Sequence, residues 1–195
     1  RDRTYIGNPI PKFTFGFNNT FSYKGFELTL FITGSYGNKI FNYLRSGLDN
    51  MQNQWDNQLG TVTERAKLEP IDETIGEGDE DYNYWDDIDN VVVSNPATMM
   101  PRAIWSDPNQ NSRMSDRYVE DGSYIRIKNL SLAYNLPKAW LNKIAMSNLK
   151  VSVNIQNLYT FTRYTGYDPE IGEDTLNSYV YGLDNGRYPS PRIFT

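Results

Sequence analysis

The sequence contains no histidine and no cysteine in 195 residues. Without histidine there is no common general base, none of the serine or cysteine triads built on one, and none of the imidazole ligands of most transition-metal sites. Without cysteine there are no disulfides and no thiolate zinc sites, although the compartment stays open on that count. Long apolar runs are missing as well. The richest, LTLFI at 28–32, is far short of the roughly 18 residues of a membrane helix. The N-terminal RDRTYIGNPIP has no apolar signal core, so the expectation is a chain that begins in mid-protein or after processing. Basic charge is scarce: 19 Lys and Arg against 24 Asp and Glu give −5, and no nucleic-acid partner is expected. A transmembrane barrel strand survives all these exclusions. It needs only about 9–11 residues, alternating apolar with polar.

Such alternation is what the sequence does have. In FTFGFNNTFSY (13–23), Phe13, Phe15, Phe17, Phe21 and Tyr23 share one side, opposite Thr14, Gly16, Asn18, Thr20 and Ser22. After Lys24-Gly25 comes FELTLFITGSY (26–36), with Phe26, Leu28, Leu30, Ile32 and Tyr36 on one face and Phe31 as the exception. The pair reads as an antiparallel hairpin. LKVSVNIQN (149–157) sends Leu149, Val151, Val153 and Ile155 one way. In YIRIKNLSLAYNL (124–136) the phase slips near Lys128-Asn129, from odd Ile125 and Ile127 to even Leu130, Leu132 and Tyr134, which predicts a β-bulge. A fifth strand opens in PSPRIFT. The expected strands are 13–23, 26–36, 120–136, 149–163 and 189–195.

A soluble, glycan-binding β-sandwich is one reading of this pattern. The other is an all-β fold, a transmembrane antiparallel β-barrel. Aromatics near the strand ends, as in an interfacial girdle, and a Gly/Ser/Thr/Asn/Gln-rich opposite side favour the barrel. So do the connections. Those at 24–25 and 137–148 are short, the latter a helical turn begun at Pro137 and packed through Trp140, Leu141 and Ile144. Those at 37–117 and 164–188 are long. Barrels have short periplasmic turns and long extracellular loops.

Within the long loop, Ile40, Leu44, Leu48, Met51 and Trp55 are spaced for an amphipathic helix. The loop is acidic, with seven Lys/Arg against fifteen Asp/Glu, peaking in GEGDEDYNYWDDIDN at 76–90. Asp79, Asp81 and Asn83 fall at the first three ligand positions of a calcium loop. Tyr84 then stands where the pattern needs Gly, and Asn90 where it needs Glu. The EF-hand motif fails; a looser calcium site stays open, and no cofactor is required. Tyr82, Tyr84 and Trp85 are candidates to stack on a sugar or pack on a partner, against the plainer reading of a solvated acidic loop with its aromatics tucked in. No buried or paired carboxylates suggest a glycosidase, and no enzyme is expected.

The stretches at 7–42, 118–137, 148–172 and 182–195, and above all EDGSYIRIKN, QNLYTFTRYTGYDPE and YPSPR, resemble the C-terminal barrel segments of SusC/RagA-type TonB-dependent outer-membrane transporters. The resemblance covers about half the chain and lapses over 43–117. It implies the C-terminal portion, about five strands, of a barrel in the bacterial outer membrane that imports oligosaccharides or peptides. Implied partners are a SusD-type surface lipoprotein and the TonB complex, reached through an N-terminal segment missing here; a homo-oligomer stays open. Phe13, Phe15, Phe17, Phe21, Leu28, Leu30, Ile32, Val151, Val153 and Ile155 are then expected to face lipid, and residues 14–22 of even number to line a hydrated lumen.

Overall fold

The computed structural model describes residues 3–52, 55–142, 146–170 and 181–195. In chain order the strands are β1 (Phe13–Tyr23), β2 (Phe26–Tyr36), four short strands β3 (Lys39–Asn42), β4 (Leu68–Pro70), β5 (Val91–Val93) and β6 (Val119–Asp121), then the long β7 (Tyr124–Asn135) and β8 (Lys150–Thr162), and the two-residue β9 (Leu183–Asp184) and β10 (Ile193–Phe194). Two units form. One comprises Arg1–Leu44 with Met114–Thr195, the other Arg45–Arg113.

The first unit is built on an antiparallel sheet of order β1-β2-β7-β8-β10. β1 and β2 pair without a break from Phe13↔Tyr36 to Tyr23↔Phe26. Lys24 and Gly25 link them with φ of 47° and 89°, the two positive values of a turn whose twist matches that of the strands it joins. The register shifts at Phe31/Ile32 against β7 and at Ile127/Asn129 between β7 and β8. This is the bulge foreseen at Lys128-Asn129. Within it Asn157 of β8 takes φ 52°, a left-handed value that Asn tolerates better than most residues.

The bulge keeps one face apolar despite the change of parity. Cross-strand rows run Phe17–Ile32–Ile127–Tyr159, then Asn19–Leu30–Leu130–Ile155–Phe194, then Phe21–Leu28–Leu132–Val153, then Tyr23–Phe26–Tyr134–Val151. Rings concentrate at the ends of the strands: Phe13 on Tyr36 at 5.4 Å, and Phe26 on Tyr134 at 4.4 Å. Gly34 has no side chain, and the Phe15 ring from the neighbouring strand fills the space, an exchange known to stabilise glycine in sheets.

The strand expected over 120–136 is divided at Gly122-Ser123 between β6, which pairs with β3 in a second sheet, and β7. The remaining elements depart from sequence expectation in three places. The helix expected over Ile40–Trp55 is confined to α1 (Tyr43–Leu48). Ile40 lies instead in β3, fully buried, where the strand pairs antiparallel with β6 and parallel with β9. Downstream, the Asn50 side chain accepts the Gln52 N–H at 2.9 Å, a local bond that competes with continued helix. The second departure is at the C-terminus. The strand expected from Pro189 is paired only at Ile193–Phe194, with Thr195 exchanging two main-chain bonds with Asn154. Pro189 and Pro191 have no N–H for a ladder, and the Ser190 N–H goes to the Asp168 carboxylate at 3.4 Å. The third lies in the packing of the turn expected after Pro137, which forms as α2 (Lys138–Leu141). Leu141 is its buried anchor and Trp140 is 61 % exposed; Ile144 lies outside the described residues.

In the second unit, β4 and β5 pair antiparallel and enclose the acidic segment 71–90. Val62 and Met100 are its buried apolar residues.

Candidate functional site

On the polar face of the five-stranded sheet, Gly16, Thr33, Arg126 and Thr160 share a row. Arg126 is only 3 % exposed. Its Nε donates to Thr160 Oγ1 at 2.7 Å, while its two terminal nitrogens donate to Asp168 and Glu170; Glu170 also accepts from Lys128. Asp168 is equally buried and takes the Glu170 N–H at 2.9 Å. A guanidinium whose planar fork meets two carboxylates is the strongest form of such pairing. It fixes the segment DPE (168–170) onto the polar face of β7 and β8. Towards the Lys24-Gly25 end, Lys150 reaches Glu27 at 3.1 Å, on a face where the intervening residue is the small Ala133.

A second cluster joins the returning segments. Tyr164 donates to the buried Asp184, whose other oxygen accepts the Gly186 N–H at 2.8 Å. Burial, then the hydrogen bond to Asp184, raises the Tyr164 phenol well above the ordinary tyrosine value. Nearby, Glu120 accepts the Thr165 N–H and hydroxyl at 2.8 and 2.7 Å.

In the unit 45–113, the acidic segment is held by Asn90, which is 2 % exposed. Its amide accepts the Asp72 N–H at 2.8 Å and donates to the Asp72 carbonyl at 3.0 Å and the Tyr82 hydroxyl at 2.9 Å. Tyr82 in turn donates to Asp87 at 2.9 Å. The Thr74 hydroxyl and N–H donate to Asp72 and lower its pKa. Tyr84 and Trp85 lie elsewhere. They meet edge to face at 5.2 Å and line an open cleft of about 570 Å³ together with Arg65, Lys67, Arg102 and Trp105.

The sequence-predicted residues therefore separate into groups. All ten residues named for the apolar face share it, and those nearest its edges are the most open, with Phe17 at 51 %, Phe21 at 59 % and Val151 at 56 % exposed. Of the three loop aromatics, Tyr84 and Trp85 border the cleft and Tyr82 serves the Asn90 brace. Within the proposed calcium segment, Asp79 accepts the Asp81 N–H at 3.0 Å, and Asn83 donates to the Asp81 carbonyl at 3.3 Å. Among the described residues no three His, Cys, Asp or Glu side chains are placed to hold a metal ion. The Arg126 network was missed from sequence. Its only signal was a lone arginine on the polar side of a strand, with its carboxylate partners more than forty residues away.

Over its whole length the chain is 36 % identical to TonB-dependent receptor P3 of Formosa agariphila and 30 % identical to receptor P26 of the same organism, spanning 17 % of each. The chain is similar to one stretch of the TonB-dependent receptors. The receptor SusC of Bacteroides thetaiotaomicron is 27 % identical over 44 % of the chain, which spans 8 % of it. No family model matches. Structures of the RagAB peptide importer superpose on 96 % of the chain at TM-scores of 0.68 and 0.69 and 22 % and 21 % identity, the chain covering 17 % of the matched subunit. The fold is therefore all-β, that of part of a transmembrane antiparallel β-barrel wall. The relatives are named as receptors and importers, and none as an enzyme.

Proposed function

We propose that the chain is the C-terminal part of the barrel of a bacterial outer-membrane, TonB-dependent importer of oligosaccharides or peptides, working with a SusD-type surface lipoprotein. The observation that carries the reading is the two-faced sheet: an open apolar face ringed by aromatics, backed by a polar face with a buried Arg126 network. Ten residue steps along β1 at about 3.4 Å rise give about 34 Å, which at a tilt of about 45° spans about 24 Å, close to the apolar band of outer-membrane barrels. A sandwich would cover the apolar face with a second sheet; here its side chains stand exposed.

The apolar residues face lipid, and the even positions of 14–22 and 150–156 line a hydrated lumen. The link Lys24-Gly25 and the turn at 137–148 are periplasmic, and 37–117 and 164–188 lie outside the cell. The sheet continues through partners for β1 and β10, because unpaired strand edges in hydrocarbon leave amides that no water can satisfy. The test is an epitope inserted after Asp79 of the full-length polypeptide. Detection on intact cells is expected, and detection only after permeabilisation overturns the topology.

A further inference from the structure

We infer that the cleft between Trp85 and Trp105 in the unit 45–113 binds an anionic oligosaccharide, one whose pyranose rings carry carboxylate or sulfate. The inference rests on the importer reading and narrows its substrate class.

Charge placement is the first observation. Residues 45–113 contain five Lys and Arg against fourteen Asp and Glu. Three of those five cations, Arg65, Lys67 and Arg102, line this one cleft, which takes only Asp86 from the fourteen. The cleft is thus a positive site inside a strongly acidic segment. Cations used only to offset the acidic loop would be spread along it.

Partnering is the second. Arg65 and Lys67 are exposed, and no hydrogen bond or ion pair joins either side chain to another described residue. Arg102 alone is anchored, donating to the Trp85 carbonyl at 3.1 Å. That bond ties one wall of the cleft to the other and leaves the rest of the guanidinium fork available for a second acceptor. The main chain is also fixed here: the Asn95 side chain accepts the Lys67 N–H at 2.7 Å and donates to the Arg65 carbonyl at 3.0 Å. The two free cations therefore lie on a braced segment just before β4.

The aromatic walls select the sugar. Trp85 is 47 % and Trp105 is 74 % exposed, and Tyr84 packs edge-on against Trp85. Flat apolar rings exposed beside cations match a pyranose, which has an apolar C–H face and, when acidic, a charge at its rim. An oligoglutamate-type acidic peptide satisfies the cations but has no apolar ring face to offer two indoles.

The test uses full-length protein purified in detergent, titrated calorimetrically with tetragalacturonate, with a sulfated tetrasaccharide, with the methyl ester of tetragalacturonate and with tetraglutamate. Binding of at least one of the two anionic sugars is expected. The double variant R65A/K67A, and separately Trp105→Ala, should each weaken it by about tenfold or more, the scale of losing charge-assisted bonds or a stacking ring. The carboxylate and sulfate arms identify which anion the site prefers. No binding of either sugar, equal binding of the ester, tetraglutamate binding as tightly, or binding indifferent to the variants overturns the proposal. Outer-membrane fractionation of the same proteins tests the importer reading separately, since these exposed substitutions leave it unchanged.

Discussion

The five-stranded sheet and the unit 45–113 are held together by different means. In the sheet, strands of eleven to thirteen residues repeat a two-residue pattern, and the pairing partners follow from it. Its polar interactions are few and concentrated, with Arg126 and Asp168 buried together. The acidic unit has three-residue strands and little buried apolar surface. There, side-chain amides and carboxylates such as Asn90, Asn95 and Asp72 bond the backbone. A wall needs uniform length and two faces; a loop that displays a surface needs only a defined shape.

That contrast can be broken at chosen residues. The largest effect is expected from Arg126→Met, which leaves Asp168 buried without its cation and should cost about 3–5 kcal/mol, the range for breaking a buried pair. Urea unfolding of the full-length protein in detergent measures it. Lys150→Ala, which removes an ion pair whose side chains are 44 % and 35 % exposed, should change the same midpoint very little.

Next comes Phe17→Arg on the apolar face, with an expected cost of about 2–4 kcal/mol for a charge near mid-membrane. Asn18→Arg, one residue on and on the opposite face, should cost far less. Equal costs would erase the distinction between the faces.

Tyr164→Phe should destabilise by about 1–3 kcal/mol, since a buried Asp184 oxygen loses its donor. Because the folded phenol titrates above its unfolded value of about 10, its contribution is complete below that pH and is lost as pH rises beyond it. The wild type should therefore lose stability above about pH 10 more steeply than the variant, as read by denaturation at graded pH.

Asn90→Ala should have the smallest effect, about 1 kcal/mol, because the groups it frees lie near water. Its signature is location: faster hydrogen exchange confined to residues 68–93, with the long strands unchanged.

Much of the sheet was legible because a period of two, sustained over eleven residues, leaves little freedom. The parity change at Lys128 was readable for the same reason, since a slip is visible only against a regular pattern. The short strands β3 and β9 were not readable, and β6 was read as the start of the strand expected at 120–136. Two to four residues carry no period, and Ile40 fitted a helix as well as a strand until the pairing of β3 with β6 and β9 decided the matter. The loop aromatics were found as a group but not by role. Tyr82 differs from Tyr84 only through Asn90, eight residues away, and Arg65 and Lys67 reach the cleft of Trp85 and Trp105 only through the fold. Residues 171–180 fall outside the described structure, so the expected loop 164–188 is seen only at its two ends.

One face of the sheet is expected to meet lipid and the other water. Single cysteines at 151–156 of the otherwise cysteine-free segment, placed in full-length protein in native membranes and treated with a membrane-impermeant maleimide, test it directly. Labelling at Ser152, Asn154 and Gln156 with protection at Val151, Val153 and Ile155 is the result expected. Uniform labelling, or the reverse alternation, would contradict it.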